Sequence, residues 1–302
     1  MKNIKYSILL LCTLILFSCT QKKTSNEQQD EAKATFDSLM QDTSDIFDNL
    51  QVVMHRFPTP GEMFGVIKEG GLQYYDNLIN DYKKSDNYLN TKAQALNLGV
   101  YIADFAYIAL FGRQNETVVY LEAIEDLGEK INISGAINES LVKRIKSNLG
   151  NVDSLVNFSD EAYLDMFSYC ENNNMHPINA LISSGAYIEG LYIALNSIDK
   201  YSENDPVLEQ LAQQRFTFKN LLAYVSDYRS DKILTDIIIE LEKINSIFNS
   251  LEVEKSVSKV SSSKTDNKLI IGGGKKYKFN KKQFKELKTV TNKIRNSITN
   301  LS

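Results

Sequence analysis

The chain has 302 residues, 43% of them hydrophobic, and a net charge of −4, which is ample material for a folded core. Only four prolines and fourteen glycines interrupt it, so long helices are expected rather than a strand-and-turn fold. Its three cysteines, Cys12, Cys19 and Cys170, are too few and too badly placed for a disulfide framework.

Residues 1–18 have the pattern of a lipoprotein signal peptide. Lys2 and Lys5 precede an apolar run from Ile8 to Phe17 that is too short to span about 30 Å of hydrocarbon. Leu16-Phe17-Ser18-Cys19 resembles a lipobox, with cleavage expected before Cys19 and acyl chains on its sulfur. The multiple acyl chains of a bacterial lipoprotein give a stable anchor where one would be marginal. Phe17 is bulkier than the usual residue at its position. Residues 19–31 follow as the lipidated cysteine and a polar tether with no aliphatic side chain. The localisation expected is the cell envelope, lipid-anchored at the outer membrane.

An all-α domain is expected over 32–254. Apolar residues recur at helical spacing from Phe36 to Met54, and Pro60 opens a short helix that Gly70-Gly71 ends. Lys92 to Phe111 is apolar on nearly all sides and reads as the central helix; Glu116 to Lys130 returns beside it as a hairpin. Further helices are expected at 137–149, 160–172, 177–199, 206–227 and 231–254. Antiparallel packing into a bundle or short stack follows.

The segment 255–268 is rich in Ser and Lys and reads as a linker. Residues 269–302 then hold a short extended piece, a turn and a basic C-terminal helix capped by Asn280. Phe284, Leu287, Val290, Ile294 and Ile298 make one apolar stripe on that helix, which predicts that it folds back onto the body. Charge is segregated along the chain. Residues 20–254 hold 19 Lys/Arg against 36 Asp/Glu, a net −17, and residues 255–302 hold 13 against 2, a net +11. In an exported protein this basic tail does not imply nucleic acid as a partner.

One internal echo stands out. The run from Gly99 to Leu110 is repeated, one residue shorter, from Gly185 to Leu195; each copy carries Tyr-Ile and an acidic residue about one turn past its glycine. A glycine inside a helix costs about 1 kcal/mol against Ala, so each is expected to admit a close helix neighbour. The acidic residues, Asp104 and Glu189, interrupt otherwise apolar helices. Facing each other they would form a carboxylate pair with a raised pKa or a cation site. The alternative is a buried polar network in which each carboxylate accepts hydrogen bonds from Tyr101, Tyr107, Tyr187 or a helix N-terminus.

Pro58-Thr59-Pro60, Asn80, Tyr88 and Asn97-Leu98-Gly99-Val100-Tyr101-Ile102-Ala103-Asp104 together resemble a family of all-helical lipoproteins common in Bacteroidetes. Gly274-Lys275-Lys276-Tyr277-Lys278-Phe279 and Arg295-Asn296 resemble that family's ending. Ile102 stands where the family pattern has glycine. The resemblance implies an envelope location and a helical fold, and no activity.

His55 and His176 are isolated, and no paired-cysteine, nucleophile-elbow or phosphate-loop pattern occurs. No metal or cofactor is implied, and Cys170 reads as a small buried hydrophobe. The 16 tyrosines and 14 phenylalanines line either core or a pocket for an apolar or aromatic ligand. Two functions follow as expectations. One is a non-catalytic binding or scaffold lipoprotein that engages an envelope protein or such a ligand. The other is a carboxylate-dependent hydrolase built on Asp104 and Glu189.

Overall fold

The computed structural model describes residues 58–137, 139–255, 259–262, 269–272 and 275–301. Cys19, the tether, the helix expected over 32–54 and His55 lie outside the described residues. Ten α-helices form most of what is described: α1 Pro60–Glu69, α2 Thr91–Leu110, α3 Gln114–Lys130, α4 Glu139–Ser147, α5 Val152–Asn172, α6 His176–Asn196, α7 Pro206–Gln213, α8 Arg215–Asp227, α9 Thr235–Asn249 and α10 Lys281–Thr299. The all-α architecture is the expected one.

Local chemistry sets the boundaries. Thr59 caps α1 in a reciprocal box with Glu62, and Pro60 fills the first-turn position where its missing N–H costs nothing. Asn90, Asn151, Asp205 and Asn280 each cap the following helix through a side-chain oxygen. The single helix expected over 206–227 is broken at Gln214, whose side-chain and backbone oxygens both accept from the Thr217 hydroxyl.

Two helices make the centre. α2 and α6 are buried around almost their whole circumference, and they are long and apolar enough to cross a membrane by composition alone, yet they lie inside the body. A methyl group on Gly99 would overlap the carbonyl oxygen of Ile182, and one on Gly185 would overlap that of Leu96. The contact is reciprocal: each glycine meets the residue three positions before the other. The two echoed segments are therefore packed against each other. Further along each helix Asp104 meets Glu189, so α2 and α6 run in the same direction. α5 and α6, joined by a short turn, are antiparallel, with Tyr163 on Ser183 and Phe167 on Asn179.

The other elements cover this pair. α1 packs Phe64 on Tyr107, and α10 lays Phe284, Leu287, Ile294 and Ile298 against α6, α9 and α2, with Val290 at the margin. The segment 255–268, expected as a linker, contains strand. β1 (Glu252–Lys255) pairs antiparallel with β4 (Lys275–Lys278), and β2 (Lys259–Ser262) with β3 (Leu269–Gly272). Opposed residue numbers total one more in the inner pair than in the outer, a one-residue shift of register. Valines spaced by Ser and Lys suit extended chain, and antiparallel pairing satisfies a backbone with few apolar side chains to bury.

A sealed carboxylate cluster as the candidate functional site

The helix-interior acids come together in the core. Both Asp104 and Glu189 have 0% exposure. The side chain that balances them comes from the far end of the chain. Arg295 of α10 donates from Nε to Glu189 Oε2 and from Nη2 to Oε1, each at 2.9 Å, and its guanidinium lies 4.5 Å from the ring centre of Tyr192. This planar, two-pronged ion pair is the strongest arrangement open to a buried carboxylate.

Asp104 is held differently. Its Oδ2 accepts the backbone N–H of Asn80 at 3.0 Å, and as a carboxylate its Oδ1 would have no hydrogen-bond partner. Burial and the adjacent negative charge of Glu189 raise its pKa well above the usual carboxylate range, against the pull of Arg295. Burial raises Glu189 too, with Arg295 opposing. The proton belongs on Asp104, because Glu189 has a guanidinium to itself and Asp104 has one backbone N–H. Protonated, Asp104 donates to Glu189, and the orphaned oxygen is satisfied. The cluster is then an acid, a carboxylate and a guanidinium with no net charge.

Around it, tyrosine hydroxyls clamp the segment between α1 and α2. Asn80 is the hub. Its N–H goes to Asp104, its Nδ2 to Tyr88 Oη at 3.0 Å, and its carbonyl accepts Tyr120 Oη at 2.6 Å. Tyr101 donates to the Asp81 carbonyl at 2.9 Å. Asn97 reaches across to the Ile298 carbonyl at 2.9 Å and fastens α2 to α10.

Of the expected network, Tyr101 lies beside the carboxylates, ringed with Tyr88 and Tyr120. Tyr107 and Tyr187 do not. Tyr107 donates to the Gln73 carbonyl and accepts from Tyr75 N in a cluster with Phe64, Tyr74 and Phe111. Tyr187 donates to the Gln214 carbonyl beside Phe218. The donors to the carboxylates are a loop N–H and an arginine, in place of the tyrosines and helix terminus expected. Arg295 and Asn80 were legible only faintly: Arg295 is the lone arginine in a tail of lysines, and it falls on the apolar stripe.

No open cleft reaches this cluster among the described residues. The best-formed apolar cavity is elsewhere, between α2, α3, α4 and α5, lined by Ile102, Phe105, Leu121, Leu141, Tyr163 and Met166, with a volume of about 30 Å³. That is the room of a single water, not of an organic ligand. Cys170 is buried, and burial pushes its thiol up to about 12, so it is inert as a nucleophile. His176 begins α6, stacked on Tyr228 with Nδ1 3.2 Å from Glu171. No group of three or more metal-ligating side chains occurs among the described residues. Comparison with known families, curated proteins and solved structures finds no match to this chain.

Proposed function

We propose that the chain is a lipid-anchored, non-catalytic binding or scaffold protein of the cell envelope, held at the outer membrane through Cys19. The observation supporting a non-catalytic role is the complete burial of Asp104 and Glu189 under α10, with their charge neutralised by Arg295. Hydrolysis by a carboxylate pair requires a substrate bond and a water between the two groups. Here both groups are wholly buried and neither is open to solvent. The enclosed apolar cavity is too small for an organic ligand, and the larger hollows, of about 340 and 470 Å³, are open and lined mainly by polar side chains. This favours an envelope protein engaged at the surface over a small apolar molecule. Kinship with the helical Bacteroidetes lipoproteins belongs to this same proposal.

A carboxylate-dependent hydrolase is the second reading, and one observation favours it: a protonated Asp beside an ionised Glu is the pairing that acid–base hydrolysis uses. It would require α10 to leave the body.

Metabolic labelling with a palmitate analogue tests the anchor. Wild type should incorporate label, and Cys19→Ser should not. Label retained by Cys19→Ser would overturn the lipid-anchor reading.

A further inference from the structure

Part of the tail's positive charge is not spent on the acidic body. Lys281, Lys282, Lys285 and Lys293 of α10 are exposed, and none has an ion pair among the described residues. At 100° per residue they fall within an arc of about 120°, opposite the buried stripe. Several basic residues of the body are paired, though others, such as Lys219 and Lys232, are exposed like these four. Lys92, Lys130, Lys143, Arg144 and Lys243 each pair with a carboxylate. Within the tail, Arg295 pairs in the core, Lys276 with Glu209, and Lys288 Nζ donates to the Ile198 carbonyl. Tail and body therefore meet in charge at the buried Arg295 and at the Lys276 pair, while these four lysines face solvent.

Their position is unfavourable for stability. Lys281 and Lys282 occupy the first turn of α10, which has no acidic residue, and there the helix dipole repels positive charge. A cationic face kept where folding disfavours it has a use outside the fold. We infer that this face of α10 is an electrostatic docking surface for an anionic membrane, seating the body with the α10 lysines toward the phosphate headgroups. The charge is complementary to such a surface. A polyvalent plane of phosphates suits lysines, which act as point charges needing no fixed geometry. Further lysines at 255, 259, 264, 268 and 275 precede α10 in the sequence. The net negative charge of the rest of the body is repelled by the same surface, and this selects one orientation. The inference takes its setting from the proposed lipid anchor, but the face is a property of α10 alone.

Vesicle co-sedimentation of unlipidated protein, residues 20–302, separates the two ideas; it retains every described residue, all within the compact unit that begins at Met54. Vesicles of phosphatidylcholine mixed with phosphatidylglycerol should bind it, pure phosphatidylcholine should not, and binding should fall steeply with salt. Changing Lys281, Lys282, Lys285 and Lys293 together to Gln should weaken binding by roughly 600-fold, at about fivefold per lysine, without lowering the melting temperature. Equal binding to both vesicles, or undiminished binding by the fourfold variant, would overturn the inference. Capture by dextran sulfate without vesicle binding would also overturn it, in favour of a soluble polyanion. Because no acyl chain is present, failure here leaves the Cys19 proposal standing, and label retained by Cys19→Ser leaves this one standing.

Discussion

At the scale of single residues, Asp104 and Arg295 make opposite predictions. An amide at 104 can still accept from Asn80 N and donate to Glu189, so Asp104→Asn should cost less than about 1 kcal/mol, whereas Asp104→Leu strands both partners at roughly 1–3 kcal/mol. The pH response separates them further. An unfolded Asp titrates near 3.9, and the folded Asp104 titrates well above that. Between those values the folded state holds a proton the unfolded state has released. Stability therefore falls as pH rises through that window and levels off above it. Asp104→Asn should flatten this limb, measured as melting temperature against pH; an unchanged slope would put the proton elsewhere. Arg295→Met leaves Glu189 buried and unpaired and should cost roughly 3–5 kcal/mol in denaturant unfolding. Adding Glu189→Gln should recover part of that loss, because an amide is cheaper to bury than a charge.

The elements are governed by backbone proximity. α2 and α6 approach until each glycine touches the other helix's carbonyls, so Gly99→Ala and Gly185→Ala each force the pair apart. Each should lose at least about 1–3 kcal/mol despite alanine's better helix propensity. Gly65 in α1 has nothing within 4 Å of where a Cβ would stand, and Gly65→Ala should gain up to about 1 kcal/mol. Chemical denaturation of the three variants tests the contrast, and three equal losses would refute it. The helices themselves were legible, since apolar periodicity, Asn and Asp caps and sparse prolines are local signals. The glycine echo showed that each copy needed a close neighbour. It did not show that the neighbour was the other copy, or that the two run in the same direction. The break at Gln214 was missed because no Pro or Gly marks it. The strands at Lys259 and Leu269 were missed as a pair because pairing is not a local property.

For the molecule as a whole, the C-terminal helix completes the core. Truncation after Glu254 would uncover the surface that Phe284, Leu287, Ile294 and Ile298 now cover, and would leave Glu189 unpaired. The shortened chain should melt lower than the intact one and bind a hydrophobic dye, and high salt alone should do neither. The apolar stripe and the charge split both foretold this docking. The carboxylate cluster was half legible: two acids in apolar helices announced a buried polar site. The partner that neutralises it lies 106 residues beyond Glu189, where no spacing rule reaches.

That separation has a consequence in time. A ribosome adding roughly 5–20 residues per second presents Glu189 some 5–20 s before Arg295 exists. Until then the two core helices carry a carboxylate with no counter-ion and an uncovered apolar face, so the native body is out of reach of the incomplete chain. If the chain is exported as proposed above, that delay keeps it loose enough to be threaded through a channel. The core closes around Glu189 only once Arg295 has been made.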